Sequence, residues 1–175
     1  MIPVNQYIHL SAPVAADSVA ICEWMQDVEI SENTSLIPYP YQQSDADTWL
    51  KLNRDFEIAN GFNRNYAIRN SEGKLIGSIG LHFNYGLNEK RSEIGYWLAN
   101  EYRNRGIMTE VLRVFEKTVK QKHGLTLLEA HVFAFNLASQ KALLNAGYTR
   151  QPGILEKHYI KKGRELDAVR FYKEL

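Results

Sequence analysis

The segment Arg103-Asn104-Arg105-Gly106 stands between a hydrophobic run that reads as a strand and an amphipathic run that reads as a helix. A strand, a turn with one glycine and a helix N-terminus aim several unpaired backbone amides at one point. The helix dipole adds partial positive charge there, so an anion such as a phosphate is a natural occupant. Gly106 lets a ligand approach the backbone, and Arg103 and Arg105 add side-chain charge. A plain solvated turn is the competing reading of the same four residues. Further along, Asn136 and Ser139 lie one helical turn apart, where both can face one ligand. His158 has a side chain suited to taking a proton near neutrality. The other histidines, His9, His82, His123 and His131, show no metal-ligand spacing, and no metal is expected.

These residues must be positioned by the elements around them. Residues 7–13 read as a first strand closed by Pro13, and 15–26 as a helix with Val19, Cys22 and Met25 on one face. The stretch 32–43, with two prolines, reads as loop. A helix over 44–61 has Ser44 as its expected N-cap, acidic residues in its first turn and Gly61 as its stop. Residues 65–70 and 75–83 form an expected hairpin. After a short polar stretch at 84–90, residues 91–99 form a third strand. Ile107, Val111, Phe115 and Val119 recur every fourth residue and predict a helix over 107–122. The apolar run 125–135 reads as a central strand. Residues 136–147 read as a helix capped by Asn136 and stopped by Gly147, and the tail as two strands around 161–164. The fold class is therefore mixed α/β (α+β), a sheet with helices on its faces.

Composition narrows the function. A chain of 175 residues suits one domain, and 45% hydrophobic against 23% charged residues argues for a packed core. A net charge of +1 gives no reason to expect nucleic acid or an anionic membrane as partner. The single cysteine, Cys22, excludes an internal disulfide and suits a reducing compartment. The first residues lack the basic start and apolar core of a signal peptide, and no run is long enough for a transmembrane helix. A cytoplasmic protein is expected.

The block 94–112 followed by "NLASQKALLNAGY" (136–148) resembles the GNAT acetyltransferase superfamily, closest to the branch of ribosomal-protein alanine N-acetyltransferases of the RimJ/RimL type. That family's pyrophosphate motif is Gln/Arg-x-x-Gly-x-Gly/Ala, and Arg103, Gly106 and Met108 occupy its fixed positions. Met108 departs from the usual small residue and narrows the pocket there. Residues 108–110, 35–50 and 161–175 also resemble that branch.

The resemblance implies a mostly antiparallel mixed sheet of about seven strands with about four flanking helices, splayed between its fourth and fifth strands. It implies acetyl-CoA as cosubstrate, no metal, and direct acetyl transfer to an amine. Residues 94–98 match the fourth strand, so the backbone of Tyr96, Trp97 and Leu98 is expected against the pantetheine arm. The diphosphate falls to Arg103, Asn104, Arg105, Gly106, Ile107, Met108 and Thr109, with Asn136, Ser139 and Lys141 along the arm. Many superfamily members carry a thiolate-protonating tyrosine where this chain has Leu143; the Rim-type branch has a serine, matched by Ser139. Glu93 matches a carboxylate of that branch, and His158 falls near another, so both are candidate bases, with base duty through ordered water also open.

An α-amine, with a reference pKa of about 7.7–8.0 against about 10.4 for lysine, is the easier acceptor near neutrality. A protein or peptide N-terminus is therefore the leading acceptor. A small amine such as an antibiotic, polyamine or amino sugar is the alternative, as is a non-catalytic acyl-CoA-binding module. Tyr39 and Tyr41 are placed at the acceptor entrance or as loop anchors. A monomer or a homodimer through the C-terminal hairpin fits equally.

Overall fold

In a computed structural model of the chain, residues 1–83, 86 and 88–175 are described. Part of the predicted polar stretch 84–90 therefore lies outside the described residues. Nine strands are found among the described residues: β1 (Ile2–Pro3), β2 (His9–Ser11), β3 (Asn65–Arg69), β4 (Leu75–His82), β5 (Arg91–Leu98), β6 (Leu127–Phe133), β7 (Thr149–Arg150), β8 (Leu155–Lys161) and β9 (Arg164–Glu174). Five helices accompany them: α1 (Ser18–Trp24), α2 (Val28–Glu32), α3 (Gln43–Asn60), α4 (Ile107–His123) and α5 (Leu137–Ala146). The strands run β1-β2-β3-β4-β5-β6-β9-β7, with β8 paired to β9. The two strands beyond the expected seven are the two-residue β1 and β7, and the extra helix is the five-residue α2.

One pairing decides the architecture. All pairs are antiparallel except β5 with β6, which is parallel and short: Arg91, Ser92 and Glu93 face Leu127, Leu128 and Glu129. Past Glu93, β5 stays paired to β4 through Leu98, while β6 stays paired to β9 through Phe133. The sheet opens there, and one edge of residues 94–98 faces a gap instead of a strand. These are the fourth and fifth strands of the expected fold, and the expected splay is present.

Each face of the sheet has its own core. Strand alternation sends Ile79, Ile94, Leu128 and Ala130 to the α4–α5 face, where Val111, Phe115 and Val119 form the buried stripe of α4. The opposite face packs Ile21, Met25, Tyr41 and Leu50 with Trp97 partly buried against them. The expected face of the first helix is corrected here: Val19 is 72% exposed, and Ile21 and Met25 turn inward. The N-cap of α3 is also corrected, from Ser44 to Gln42, whose amide donates to Asp45 Oδ2 at 2.8 Å. Gly61, Gly124 and Gly147 end their helices in the left-handed conformation. The β8–β9 turn uses two positive-φ residues, Lys162 at 50° and Gly163 at 75°, as a tight hairpin demands.

Candidate active site

A cleft of about 1370 Å³ runs through the gap between β5 and β6. That exceeds the roughly 300–1,000 Å³ usual for one small ligand, so it has room for two reactants.

At one end lies the predicted anion cradle. After Leu98 the chain makes a short helical turn over Asn100–Tyr102, and Arg103 is extended. Asn104 (φ 59°) and Gly106 (φ 77°) both adopt the left-handed conformation, curling successive amides inward into a nest. The α4 ladder begins only at Glu110, which donates to Gly106 O at 3.2 Å. The amides of residues 104–109 therefore have no acceptor among the described residues. Six donors without a protein acceptor at the N-terminus of a 17-residue helix fit a diphosphate. Ile107, Met108 and Thr109 line the cleft beside them, and Met108 also packs on the core.

The Arg103 side chain has partners within the protein. Its Nε donates to Leu98 O at 2.9 Å, and its terminal nitrogens reach Asp27 Oδ2 at 2.7 Å and Glu29 Oε2 at 2.5 Å. The guanidinium fastens α2 to the end of β5, while the residue also lines the cleft. Arg105 is exposed, 6.0 Å from the centre of the Tyr102 ring and outside the lining of the main cleft.

Midway, on the α4–α5 face, two hydroxyls meet. Asn136 caps α5 by accepting the Ser139 amide at 3.0 Å, which holds Ser139 at the cleft wall. Ser139 Oγ lies 2.7 Å from the Tyr96 hydroxyl, with either atom able to donate. Burial pushes the Tyr96 phenol well above its usual range, only partly offset by the bond to Ser139, so the pair stays protonated. Leu143, at the position of the family's frequent tyrosine, is fully buried in the core. Lys141 is exposed at the cleft margin.

On the other face the side chains are acidic and basic. Glu93, His131 and Tyr159 line the cleft together. Glu93 Oε1 is 3.2 Å from His131 Nδ1, off the line of a good hydrogen bond, and 3.5 Å from the Tyr159 hydroxyl. Both Glu93 and His131 are largely enclosed, at 14% and 12% side-chain exposure. Burial and then the Glu93 charge raise the Tyr159 phenol, leaving it a donor. A carboxylate beside an imidazole in a partly dry cleft can take a proton from an ammonium group.

The structure places His158 one step away from this group. It is exposed and does not line the cleft, its ring 4.8 Å from that of His131 and 4.6 Å from that of Tyr159. A bulge in β8 between Leu155 and Tyr159, with Lys157 at φ 50°, sets which side chains turn inward. Burial lowers the His158 pKa, as does neighbouring His131.

The roof of this half is the loop after α2. Lys161 at the end of β8 donates to the carbonyls of Ser31, Thr34 and Ile37, tying hairpin to loop. Tyr41 is buried and lines the cleft, its hydroxyl pushed up to about 12 by burial, whereas Tyr39 is exposed beside Lys162.

His131 and the hydroxyls of Tyr96 and Tyr159 were not singled out by sequence reasoning. The signal available was alternation: two residues past Glu129, His131 shares the face of Glu93 once β5 and β6 are paired in parallel. Among the described residues no group of three His, Cys, Asp or Glu side chains is placed to hold a metal, and no helix is long and apolar enough to cross a membrane.

Solved structures share this fold, and a curated protein shares part of the sequence. The uncharacterized N-acetyltransferase YoaA of Bacillus subtilis (strain 168) is 31% identical over 100 residues, which span 57% of this chain and 55% of YoaA. The chain thus matches little more than half the length of that curated relative. Among solved structures, RimL, a ribosomal-protein α-N-acetyltransferase in complex with coenzyme A, superposes with a TM-score of 0.87 at 18% identity, covering 99% of this chain and 97% of that one. The microcin self-immunity acetyltransferase MccE, in complex with acetyl-CoA and AMP, gives 0.84 at 19% identity over 98% and 94%. RimJ of Mycobacterium smegmatis, in complex with a CoA-disulfide, gives 0.83 at 16% identity over 95% and 81%. The family model described as the acetyltransferase (GNAT) domain matches residues 8–149, most of the sequence, and the chain belongs to that family.

Proposed function

We propose that this chain is an acyl-CoA-dependent N-acetyltransferase, taking acetyl from acetyl-CoA and passing it directly to the α-amine of a peptide or protein N-terminus. The observation that carries the proposal is the pairing of unlike chemistry across one gap. Glu93 with His131 stands on one face of the sheet, and Tyr96 with Ser139 on the other, all lining the same cleft.

Acetyl-CoA supplies the thioester carbonyl, and as the new C–N bond forms the C–S bond breaks and coenzyme A departs as a thiolate. The amides of residues 104–109 bind its diphosphate, and the open edge of β5 at Tyr96, Trp97 and Leu98 pairs with its arm. Asn136 orients Ser139, and Lys141 sits where it can meet the arm from the margin. Glu93, with His131 beside it, accepts the proton that the ammonium must lose before it can attack. Tyr159 donates toward the Glu93 carboxylate and fixes its direction. The Ser139 hydroxyl, hydrogen-bonded to Tyr96, hands a proton to the departing sulfur, and the second proton lost by the nitrogen as the amide forms returns through water to the Ser139–Tyr96 pair. His158 backs the His131 ring and is the outer member of the base group.

The acceptor assignment rests on the lower pKa of an α-amine, on a cleft with room for a chain end, and on the likeness to RimL. Its test is thiol release from acetyl-CoA with a panel of short peptides, N-terminally blocked lysine peptides, polyamines and amino sugars. Release with free N-termini, and little with blocked peptides, is expected. Release with small amines or lysine alone would overturn the assignment.

A further inference from the structure

The acceptor half of the cleft contains a cation that the acyl transfer does not use. Arg64 lies just ahead of β3, where its carbonyl accepts the Leu81 amide at 2.8 Å, and its side chain lines the cleft. The guanidinium carbon lies 5.1 Å from the centre of the Phe56 ring. Arg64 Nε is buried with no hydrogen-bond acceptor among the described residues. The three undescribed residues are Asn84, Tyr85 and Leu87, so every acidic side chain of the protein is described, and none forms an ion pair with Arg64. Arg69, Arg103 and Arg170, by contrast, each hold a carboxylate. A guanidinium whose buried donor is unmet bears a desolvation cost that an anionic ligand removes.

Arg64 also stands near the proposed base. Asn65 pairs with Gly80, so Arg64, one residue ahead of β3, falls opposite Leu81, next in the chain to His82, whose partner on β5 is Glu93. His82 feels both charges: burial and Arg64 lower its pKa, and Glu93 raises it. Its ring lies over Gly95, where a Cβ would fall 2.4 Å from Nε2, so the imidazole fills the sheet surface between the two charges. Two strand spacings separate the backbones of Arg64 and Glu93, roughly 10 Å. An extended peptide advances about 3.3–3.6 Å per residue.

We infer that Arg64 is an anion subsite for the acceptor, so that the amine delivered to Glu93 belongs to a peptide with a carboxylate side chain at its second or third residue. This rests on the peptide N-acetyltransferase reading of the same cleft.

The test is kcat/KM of the full chain on short peptides that differ only in carrying Glu, Gln or Lys at the second or third position. The wild-type protein should prefer Glu over Gln by about 10–100-fold, the range for a hydrogen bond to a charged group, with Lys poorest. That preference should shrink as salt rises. In Arg64→Gln the ratio of Glu to Gln peptides should collapse toward unity, and in Arg64→Glu the order should reverse toward Lys. Acetyl-CoA affinity by calorimetry reports whether each variant is folded. Equal wild-type rates on all three peptides, or a ratio that survives Arg64→Gln, would overturn the subsite. Preference for a phosphorylated small amine over every acidic peptide would overturn the assignment to peptides. Failure of the underlying reading looks different: no peptide releases thiol at all while small amines do.

Discussion

On the α4–α5 side of the gap between β5 and β6, most of the groups facing the cleft come from two short contiguous segments. Residues 104–109 offer backbone amides, and residues 136–139 offer a cap and a hydroxyl, with Tyr96 meeting that hydroxyl from β5. On the opposite side, Arg64, His82, Glu93, His131 and Tyr159 arrive from five separate strands or strand ends, and each contributes a side chain. A ligand held by main-chain donors needs only the correct local conformation. One held by side chains needs the whole sheet assembled in register. The first side suits a ligand that is the same in every reaction, and the second suits one that must be selected.

Each side can be broken separately. The largest effect is expected from Glu93→Gln, which removes the carboxylate from the acceptor side. Turnover should fall by about 10²–10⁴-fold, the usual worth of a general base, with acetyl-CoA affinity retained. Steady-state kinetics with calorimetry checks this, and a loss of affinity in place of turnover would erase the division between the sides. Removing the Tyr96 or Ser139 hydroxyl, by Tyr96→Phe or Ser139→Ala, should lower kcat by about 10–100-fold, with the double variant far from multiplicative because the two act as one unit. Additive losses would show two independent roles.

Arg103→Ala sharpens the comparison further, because the side chain lies next to the cradle yet faces α2. Loss of its bonds to Leu98 O and Asp27 should cost about 1–2 kcal/mol in urea melts. The salt dependence of acetyl-CoA binding should be unchanged; a shallower dependence would restore the phosphate role. The smallest effect is a pH dependence on the acceptor side. His82 has a folded-state pKa below its ordinary value, so the unfolded chain binds the proton first as pH falls. Its contribution to stability is present above the unfolded value of about 6.5 and is lost as pH falls through the lower folded-state pKa. His82→Gln should flatten that part of the stability curve, and an unchanged curve would assign it to other groups.

The same contrast explains what could be read from the sequence. The stripe Val111, Phe115, Val119, the cap Asn136, the stop Gly147 and the turn at Gly106 are all encoded within one helical turn or one loop, and each appears as expected. The face of α1 was misplaced because the sheet, not the helix's own pattern, decided that Ile21 would be buried and Val19 exposed. The five-residue α2 is too short for periodicity. It is held by the Asp27 cap on Glu29 N and by Arg103, some 75 residues away in the chain. Arg103 illustrates the limit: its place in the motif was legible, but the destination of its side chain depended on Asp27 and Glu29 arriving from elsewhere. His158 was legible as a proton acceptor by type. That His131 and Tyr159, and not His158, line the cleft follows from strand register and from the β8 bulge, neither of which local sequence specifies.

The most direct test of the two-sided cleft is a crystal structure with a conjugate in which coenzyme A is joined through an acetyl bridge to the N-terminus of a short acidic peptide. The diphosphate should lie on the amides of residues 104–109, the sulfur beside Ser139 and Tyr96, and the peptide nitrogen within hydrogen-bond reach of Glu93 or His131. A sulfur on the Glu93 face, or a peptide leaving through the α4–α5 side, would contradict the account.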